Sequence, residues 1–236
     1  MEINLMKIHG LQKLTLLDYP EHVACTIFLG GCDFRCPYCH NFELVDGTAS
    51  PLMDEKELFS FLEKRKGLLD GVAITGGEPC LHPELPELIA AIRKMGYAVK
   101  LDTNGYHPDV LRALLSRNLL DYIAMDIKNS YEKYPATTGC PEIQTERIRE
   151  SIQLLIGGKI PCEFRTTVVR EFHEEKDFEL IGLMIQGADR YYLQSFTDRE
   201  TVPRKGLHSP SAEDLRTYAS LVRPYVQTVE IRGVSD

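Results

Sequence analysis

No apolar stretch in this 236-residue chain approaches the roughly 18 residues that a bilayer-crossing helix requires, so a membrane span is excluded. A basic surplus is missing too: 27 Lys and Arg stand against 35 Asp and Glu, a formal net charge of -8. A phosphate backbone demands an excess of cations on at least one face, and no nucleic-acid partner is expected. There is no internal repeat, no low-complexity tract and no charged-then-apolar leader ahead of the cysteines. The cysteines number seven, an odd count that argues against a disulfide framework. These absences predict a cytoplasmic, reduced protein.

In bulk the composition is ordinary. Hydrophobic residues at 43% and charged residues at 26% are globular values, and the length suffices for one substantial core. One domain over residues 1–236 is expected, with 1–22 as an N-terminal extension and 197–236 as a C-terminal loop, helix and short strand. Runs rich in Ile, Val, Leu, Thr and aromatics predict strands at Val23 to Leu29, Gly71 to Thr75, Ala98 to Asp102, Tyr122 to Ile127, Glu163 to Val169 and Tyr191 to Phe196. Between them apolar residues recur at helical spacing, as in Leu85, Leu88, Ile89, Ile92 and Met95, with Gly96 placed as a C-terminal cap. The same period marks Ile148, Ile152 and Leu155, then Phe178, Ile181 and Ile185, then Leu215, Tyr218, Leu221 and Val222. Asp54 and Glu57 have the spacing of a capping box.

Alternating strands and helices imply right-handed crossovers and an α/β fold whose six parallel strands curve into a partial (β/α)6, TIM-like barrel. Function in such sheets lies at the C-terminal ends of the strands. Polar residues gather there. The first strand runs into a cysteine loop, the second into Gly76-Gly77-Glu78-Pro79, the third into Asp102-Thr103-Asn104-Gly105 and the fourth into Asp126-Ile127-Lys128. The fifth carries Arg165 and Thr167 and the sixth Gln194, before a charged, Gly- and Pro-containing loop from Thr197 to Pro210.

The cysteine loop reads Gly30-Gly31-Cys32-Asp33-Phe34-Arg35-Cys36-Pro37-Tyr38-Cys39-His40-Asn41. Thiolates from Cys32, Cys36 and Cys39 can hold three corners of a four-iron four-sulfur cluster, and with no fourth cysteine nearby one iron is left open for chemistry. A structural zinc site usually takes four protein ligands, and the immediate fourth candidate, His40, is adjacent to Cys39, which strains a tetrahedron. Zinc is therefore the minor reading. Cys25, Cys80, Cys140 and Cys162 stand singly and read as small buried or half-buried residues.

The spacing Cys-x-x-x-Cys-x-x-Cys, with Tyr38 before the third cysteine, resembles the signature of radical S-adenosylmethionine (SAM) enzymes. Gly76-Gly77-Glu78-Pro79, one strand and one helix later, is similar to the Gly-Gly-Glu-Pro motif of that family. The resemblance implies a partial barrel of the radical SAM type, one 4Fe-4S cluster on Cys32, Cys36 and Cys39, SAM chelated to the open iron, and Tyr38 against the adenine. Paired glycines let backbone approach a ligand closely, and the Gly76 and Gly77 carbonyls with the Glu78 carboxylate can accept hydrogen bonds from the SAM ammonium. Read alone, the same four residues are a turn. Because the four single cysteines lack the close spacing of a ferredoxin-like insertion, one cluster is expected.

Asp102-Thr103-Asn104-Gly105, Ala124-Met125-Asp126-Ile127-Lys128 and His40-Asn41 resemble segments of the glycyl-radical-enzyme activases. The pattern, from Leu14-Thr15-Leu16-Leu17-Asp18-Tyr19-Pro20 to Ile231-Arg232-Gly233, is closest to the short activators of anaerobic ribonucleoside-triphosphate reductase. In the pyruvate formate-lyase activase a monovalent cation sits beside the SAM carboxylate, and the matching positions are Asp102, Thr103 and Asp126, with a backbone oxygen at Ala124. Hard oxygen ligands suit such an ion. Asp102 and Asn104 equally read as caps of a strand-to-helix turn, and Lys128 and Arg165 pair either with the SAM carboxylate or with Asp126. His40, Asn41, Thr167 and Gln194 complete the expected cofactor-binding set. Gln194-Ser195-Phe196 is a departure, because the formate-lyase activase has a His at the end of its sixth strand.

The implied reaction takes one electron from a donor such as flavodoxin or ferredoxin and cleaves SAM to methionine and a 5'-deoxyadenosyl radical. That radical removes a hydrogen atom from a glycine of a partner, here anaerobic ribonucleotide reductase. The short C-terminal region offers little material for a lid, which favours a protein substrate. A radical SAM enzyme acting on a small molecule or peptide is the second reading, and a non-catalytic zinc or electron-transfer module a distant third.

Overall fold

Parallel strands bury both faces and so read as continuous apolar runs, and each of the six runs named above forms a strand. A computed structural model describes residues 6–234; residues 1–5 and 235–236, the ends of the expected single domain, lie outside the described residues. The chain divides into two compact units, Met1–Asp33 with Glu43–Thr103 and Asp109–Ile123, and Phe34–Phe42 with Asn104–Pro108 and Ala124–Asp236.

In the first unit β1 (Lys7–Thr15) pairs antiparallel with β2 (Ala24–Leu29). After the cysteine loop comes the short helix α1 (Phe42–Asp46), then the two-residue β3 (Met53–Asp54), which joins the other edge of β1. The helix α2 (Glu55–Glu63) starts on the expected capping box, with Glu57 N–H donating to Asp54 at 2.9 Å and Asp54 N–H to Glu57 at 3.0 Å. Such a cap contributes about 1 kcal/mol. β4 (Gly71–Gly76) lies parallel to β2, Ala24 opposite Gly71 and Leu29 opposite Gly76. The helix α3 (Leu85–Lys94) buries Leu85, Leu88, Ile89 and Ile92, each worth about 1.5–3 kcal/mol, and just beyond it Gly96 takes φ +97°, where a Cβ is disfavoured. β5 (Ala98–Thr103) continues the parallel series beside β4, and α4 (Pro108–Ser116) buries Leu111 and Leu114. The strand β6 (Tyr122–Asp126) then contributes residues to both units.

The second unit holds α5 (Tyr134–Thr138), α6 (Thr145–Ile156), β7 (Cys162–Val168), α7 (Glu175–Met184), β8 (Arg190–Ser195), α8 (Ala212–Val222) and β9 (Thr228–Arg232). β7, β8 and β9 run parallel, with Thr167 opposite Gln194 and Gln194 opposite Arg232. The helices bury the expected stripes: Ile148, Ile152 and Leu155 on α6, Phe178 and Ile181 on α7, Leu215 and Val222 on α8. The Phe178 ring stacks on Tyr218 at 4.3 Å. No helix or strand interrupts the expected loop between Ser195 and Ala212.

All six expected strands are present within one residue at either end. What differs is the segment expected as an N-terminal extension, which carries β1. Its Lys7, His9, Gln12 and Lys13 break any apolar run, and only Ile8 and Thr15 are buried in it. Among the described residues no helix is long and apolar enough to cross a membrane.

Candidate functional site

In the first unit β2 and β4 end side by side, and the two glycine pairs that follow are pressed together. Gly76 adopts φ +127°, and a Cβ there would meet the Leu29 carbonyl oxygen at 2.2 Å. A Cβ on Gly77 would stand 1.9 Å from the Gly31 carbonyl oxygen and 3.4 Å from the Cys32 Cβ. Gly77 N–H donates to the Leu29 carbonyl at 2.9 Å and Glu78 N–H to the Gly31 carbonyl at 2.7 Å. His82 Nε2 reaches the Gly30 carbonyl at 2.8 Å. The Gly-Gly-Glu backbone thus holds the approach to Cys32.

Glu78 is 0% exposed, and its carboxylate accepts from Cys80 N–H at 3.0 Å and from the Thr103 hydroxyl at 2.8 Å. The Cys80 thiol lies 3.7 Å from the same hydroxyl, and burial, reinforced by Glu78, pushes its pKa well up. Lys100 on β5 is 1% exposed and forms an ion pair with Asp102.

In the second unit Cys39 N–H donates to the Cys36 carbonyl at 3.1 Å, closing a turn in which Cys36 is buried and Cys39 half-buried. Tyr38 is buried beside Phe172, with ring centroids 5.7 Å apart, and its hydroxyl has no hydrogen-bond partner among the described residues. His40 Nε2 lies 2.6 Å from the Thr197 carbonyl oxygen, and its ring stacks on Phe196 at 5.5 Å. Asn41 is half-buried. Arg204 N–H donates to the Pro37 carbonyl at 3.1 Å and its guanidinium covers Phe172 at 5.4 Å. The C-terminal region, expected to offer little material for a lid, brings Thr197 and Arg204 of its loop to His40 and Pro37 of the cysteine loop. Asn104 accepts from Tyr106 N–H at 2.9 Å, the turn-capping role that its residue type favours.

Lys128 and Arg165 both pair with Asp126, at 2.9 Å and 3.0 Å. The Lys128 backbone is fixed on both sides, N–H to the Tyr134 hydroxyl at 3.1 Å and carbonyl to His173 Nε2 at 3.0 Å. Contacts continue from Arg165 to Glu163 at 3.9 Å, and Glu163 meets Arg232 twice at 3.3 Å. Arg232 in turn covers the Tyr192 ring at 3.3 Å. Thr167 and Gln194 face each other across β7 and β8. Sequence reading found Asp126, Lys128 and Arg165 but missed Glu163, Arg232, His173, Lys100 and Cys80's link to Glu78.

Burial pushes the Asp126 carboxyl up, but Lys128 and Arg165 outweigh it and lower the pKa from 3.8 to about 2. A depressed acid contributes stability that is fully present above its unfolded pKa and is lost as pH falls through the folded one. Asp126→Asn is accordingly expected to flatten the fall of unfolding free energy between pH 4 and about 2 while leaving its pH dependence above 5 unchanged. Denaturant melts across that range check it.

The residues fit an iron-sulfur cluster and SAM. A cluster places its cysteine sulfurs on separate irons, and Cys32, Cys36 and Cys39 lie on one stretch of chain with none of them in a disulfide. Among the described residues no three His, Cys, Asp or Glu side chains converge as ligands of one metal ion. The buried, unpartnered Tyr38 hydroxyl suits a heterocycle, and the Lys128 and Arg165 cations suit a carboxylate. By contrast, burial pushes the Cys25 thiol up to about 12 and Cys162 up to about 11, which makes both inert at neutral pH.

A family model described as the Radical SAM superfamily matches residues 26–184. A Methanocaldococcus jannaschii protein provisionally named as a glycyl-radical enzyme activating enzyme is 32% identical over 234 residues, 97% of this chain and 96% of that one. The pyruvate formate-lyase-activating enzyme of Clostridium pasteurianum is 30% identical over 139 residues, 56% of this chain and 57% of that one. Among solved structures, Streptococcus suis SuiB bound to S-adenosylmethionine matches with a TM-score of 0.68 at 15% identity, covering 86% of this chain and 48% of that one. At that identity the likeness speaks for the fold, an α/β partial barrel with mostly parallel strands.

Proposed function

The chain belongs to the radical SAM superfamily, and from that premise we propose that it is a glycyl-radical-enzyme activase whose partner is anaerobic ribonucleotide reductase. The observation that carries this reading is the 32% identity, along nearly the full length of both chains, to a protein of the activase name. Cys32, Cys36 and Cys39 hold one 4Fe-4S cluster. When bound, the cluster and SAM supply a one-electron cleavage that yields methionine and a 5'-deoxyadenosyl radical, the electron coming from a flavodoxin- or ferredoxin-like donor.

The chain's own residues bind, orient and shield. Lys128 and Arg165, already aligned on Asp126, receive the SAM carboxylate, and the Gly76 and Gly77 carbonyls receive its ammonium. Tyr38 meets the adenine, with His40, Asn41, Asn104, Thr167 and Gln194 around the remainder of the cofactor. Glu78, with its carboxylate turned to Cys80 and Thr103, acts as a positioning residue for the Gly-Gly turn. Residues 1–236 work as one domain in the cytoplasm, where thiols stay reduced.

Anaerobic reconstitution with iron, sulfide and SAM, followed by reduction in the presence of an anaerobic ribonucleotide reductase, is expected to produce 5'-deoxyadenosine and a glycyl radical seen by EPR. Abundant 5'-deoxyadenosine with no radical on any glycyl radical enzyme would overturn the activase reading and leave a small-molecule or peptide substrate.

A further inference from the structure

We propose that Lys100 is a built-in replacement for the monovalent cation that the activase resemblance implies, so that this enzyme cleaves SAM without an alkali ion. The proposal rests on the SAM-cleaving reading above. Lys100 sits in the middle of β5 between Val99 and Leu101, both fully buried, and is itself 1% exposed. Lysine is almost never buried so completely unless it is paired. Its partner is Asp102, two residues on, and the period of a strand sets both side chains on one face.

An alkali ion is held by oxygen donors whose charge or dipoles are still available to it. Of the side chains expected around that ion, Asp102 is already neutralised by a cation of its own strand, the Lys100 ammonium. The Thr103 hydroxyl donates to Glu78 at 2.8 Å, which leaves its oxygen lone pairs in place. Asp126 accepts from Lys128 at 2.9 Å and from Arg165 at 3.0 Å. An ion placed at Asp102 would face an ammonium of its own sign. The residues present therefore do not fit the ion; they fit a permanent positive charge on a tether that cannot exchange with solvent. Lys100 supplies the charge that balances Asp102.

The test compares reconstituted wild type in potassium buffer with wild type in buffer whose cation is tetramethylammonium, too bulky for such a site. Rates of 5'-deoxyadenosine formation are expected to agree within about twofold, and a loss of about tenfold or more without potassium would overturn the proposal. Lys100→Met keeps the stem and removes the charge. It is expected to be about tenfold slower in tetramethylammonium and to recover when potassium is added; a folded variant insensitive to potassium sinks the idea. Thallium(I) NMR reads the site without any SAM chemistry: no bound thallium on wild type and a bound signal on Lys100→Met are expected, and thallium bound to wild type overturns the assignment. Should Lys100→Met fail to fold, the wild-type measurements decide alone. Wild type that cleaves no SAM but binds no thallium refutes the function reading and not the cation exclusion.

Discussion

Cys36→Ala is expected to yield a folded protein that retains no stable cluster and cleaves SAM about a thousandfold more slowly or worse, because cluster, cofactor and thiolates act as a unit. The fold should survive. Cys36 is buried at 7% exposure, but the change removes one sulfur atom from a loop turn whose closing bond is made by backbone, Cys39 N–H to the Cys36 carbonyl at 3.1 Å. The chemistry should not, since two cysteines cannot hold three irons. Iron and sulfide per chain, the visible absorbance of the anaerobic protein and 5'-deoxyadenosine yield are the measurements. Cys25→Ala is the matched control, also a buried cysteine outside any disulfide but on paired strand β2; its cluster content is expected to equal wild type. Undiminished cleavage by Cys36→Ala would end the cluster assignment.

Most of the fold was legible in local pattern. Each of the six runs became a strand because a strand buried on both faces is mostly apolar, as Val72, Ala73 and Ile74 of β4 are, with the charges of β5 and β7 held in ion pairs. The capping box at Asp54 and Glu57 was legible for the same reason, its partners being three residues apart. β1 was not legible. It is covered on one side by β2 and for only two residues on the other by β3, so it needs few apolar positions and shows no period.

For the candidate site the dividing line is sequence separation. The cysteine triad is a contiguous motif that is legible by itself, and the Gly-Gly-Glu-Pro turn becomes legible through its place one strand and one helix after the triad. Lys100 with Asp102 was missed although its signal is local, since residues two apart on a strand share a face and a charged pair in an apolar run must satisfy itself. Asp126 with Arg165, residues 39 apart, was reached only as one of two alternatives beside the family resemblance, and Glu163 with Arg232, residues 69 apart, was not reached. Such pairs are set by which strands become neighbours, and no window of local sequence contains that information.

Gly77→Ala separates the two reasons a glycine can be required here. The sequence suggested close approach of backbone to a ligand; the geometry adds close approach to the chain's own backbone, with the new Cβ 1.9 Å from the Gly31 carbonyl oxygen and 2.7 Å from its carbon. Neither atom belongs to a side chain that can rotate away. Relief requires moving β4's end from β2's end, which breaks Gly77 N–H to Leu29 at 2.9 Å and Glu78 N–H to Gly31 at 2.7 Å. Overpacking with the loss of both bonds is expected to cost about 3 kcal/mol or more. The denaturant midpoint should fall and the cluster yield with it, because the displaced carbonyl belongs to the residue immediately before Cys32. If the glycine served ligand approach alone, the variant would keep the wild-type midpoint and iron content and lose only affinity for SAM. A melt and an iron assay on the same anaerobic sample distinguish the outcomes, and an unchanged midpoint would show that the turn gives way more easily than its hydrogen bonds imply.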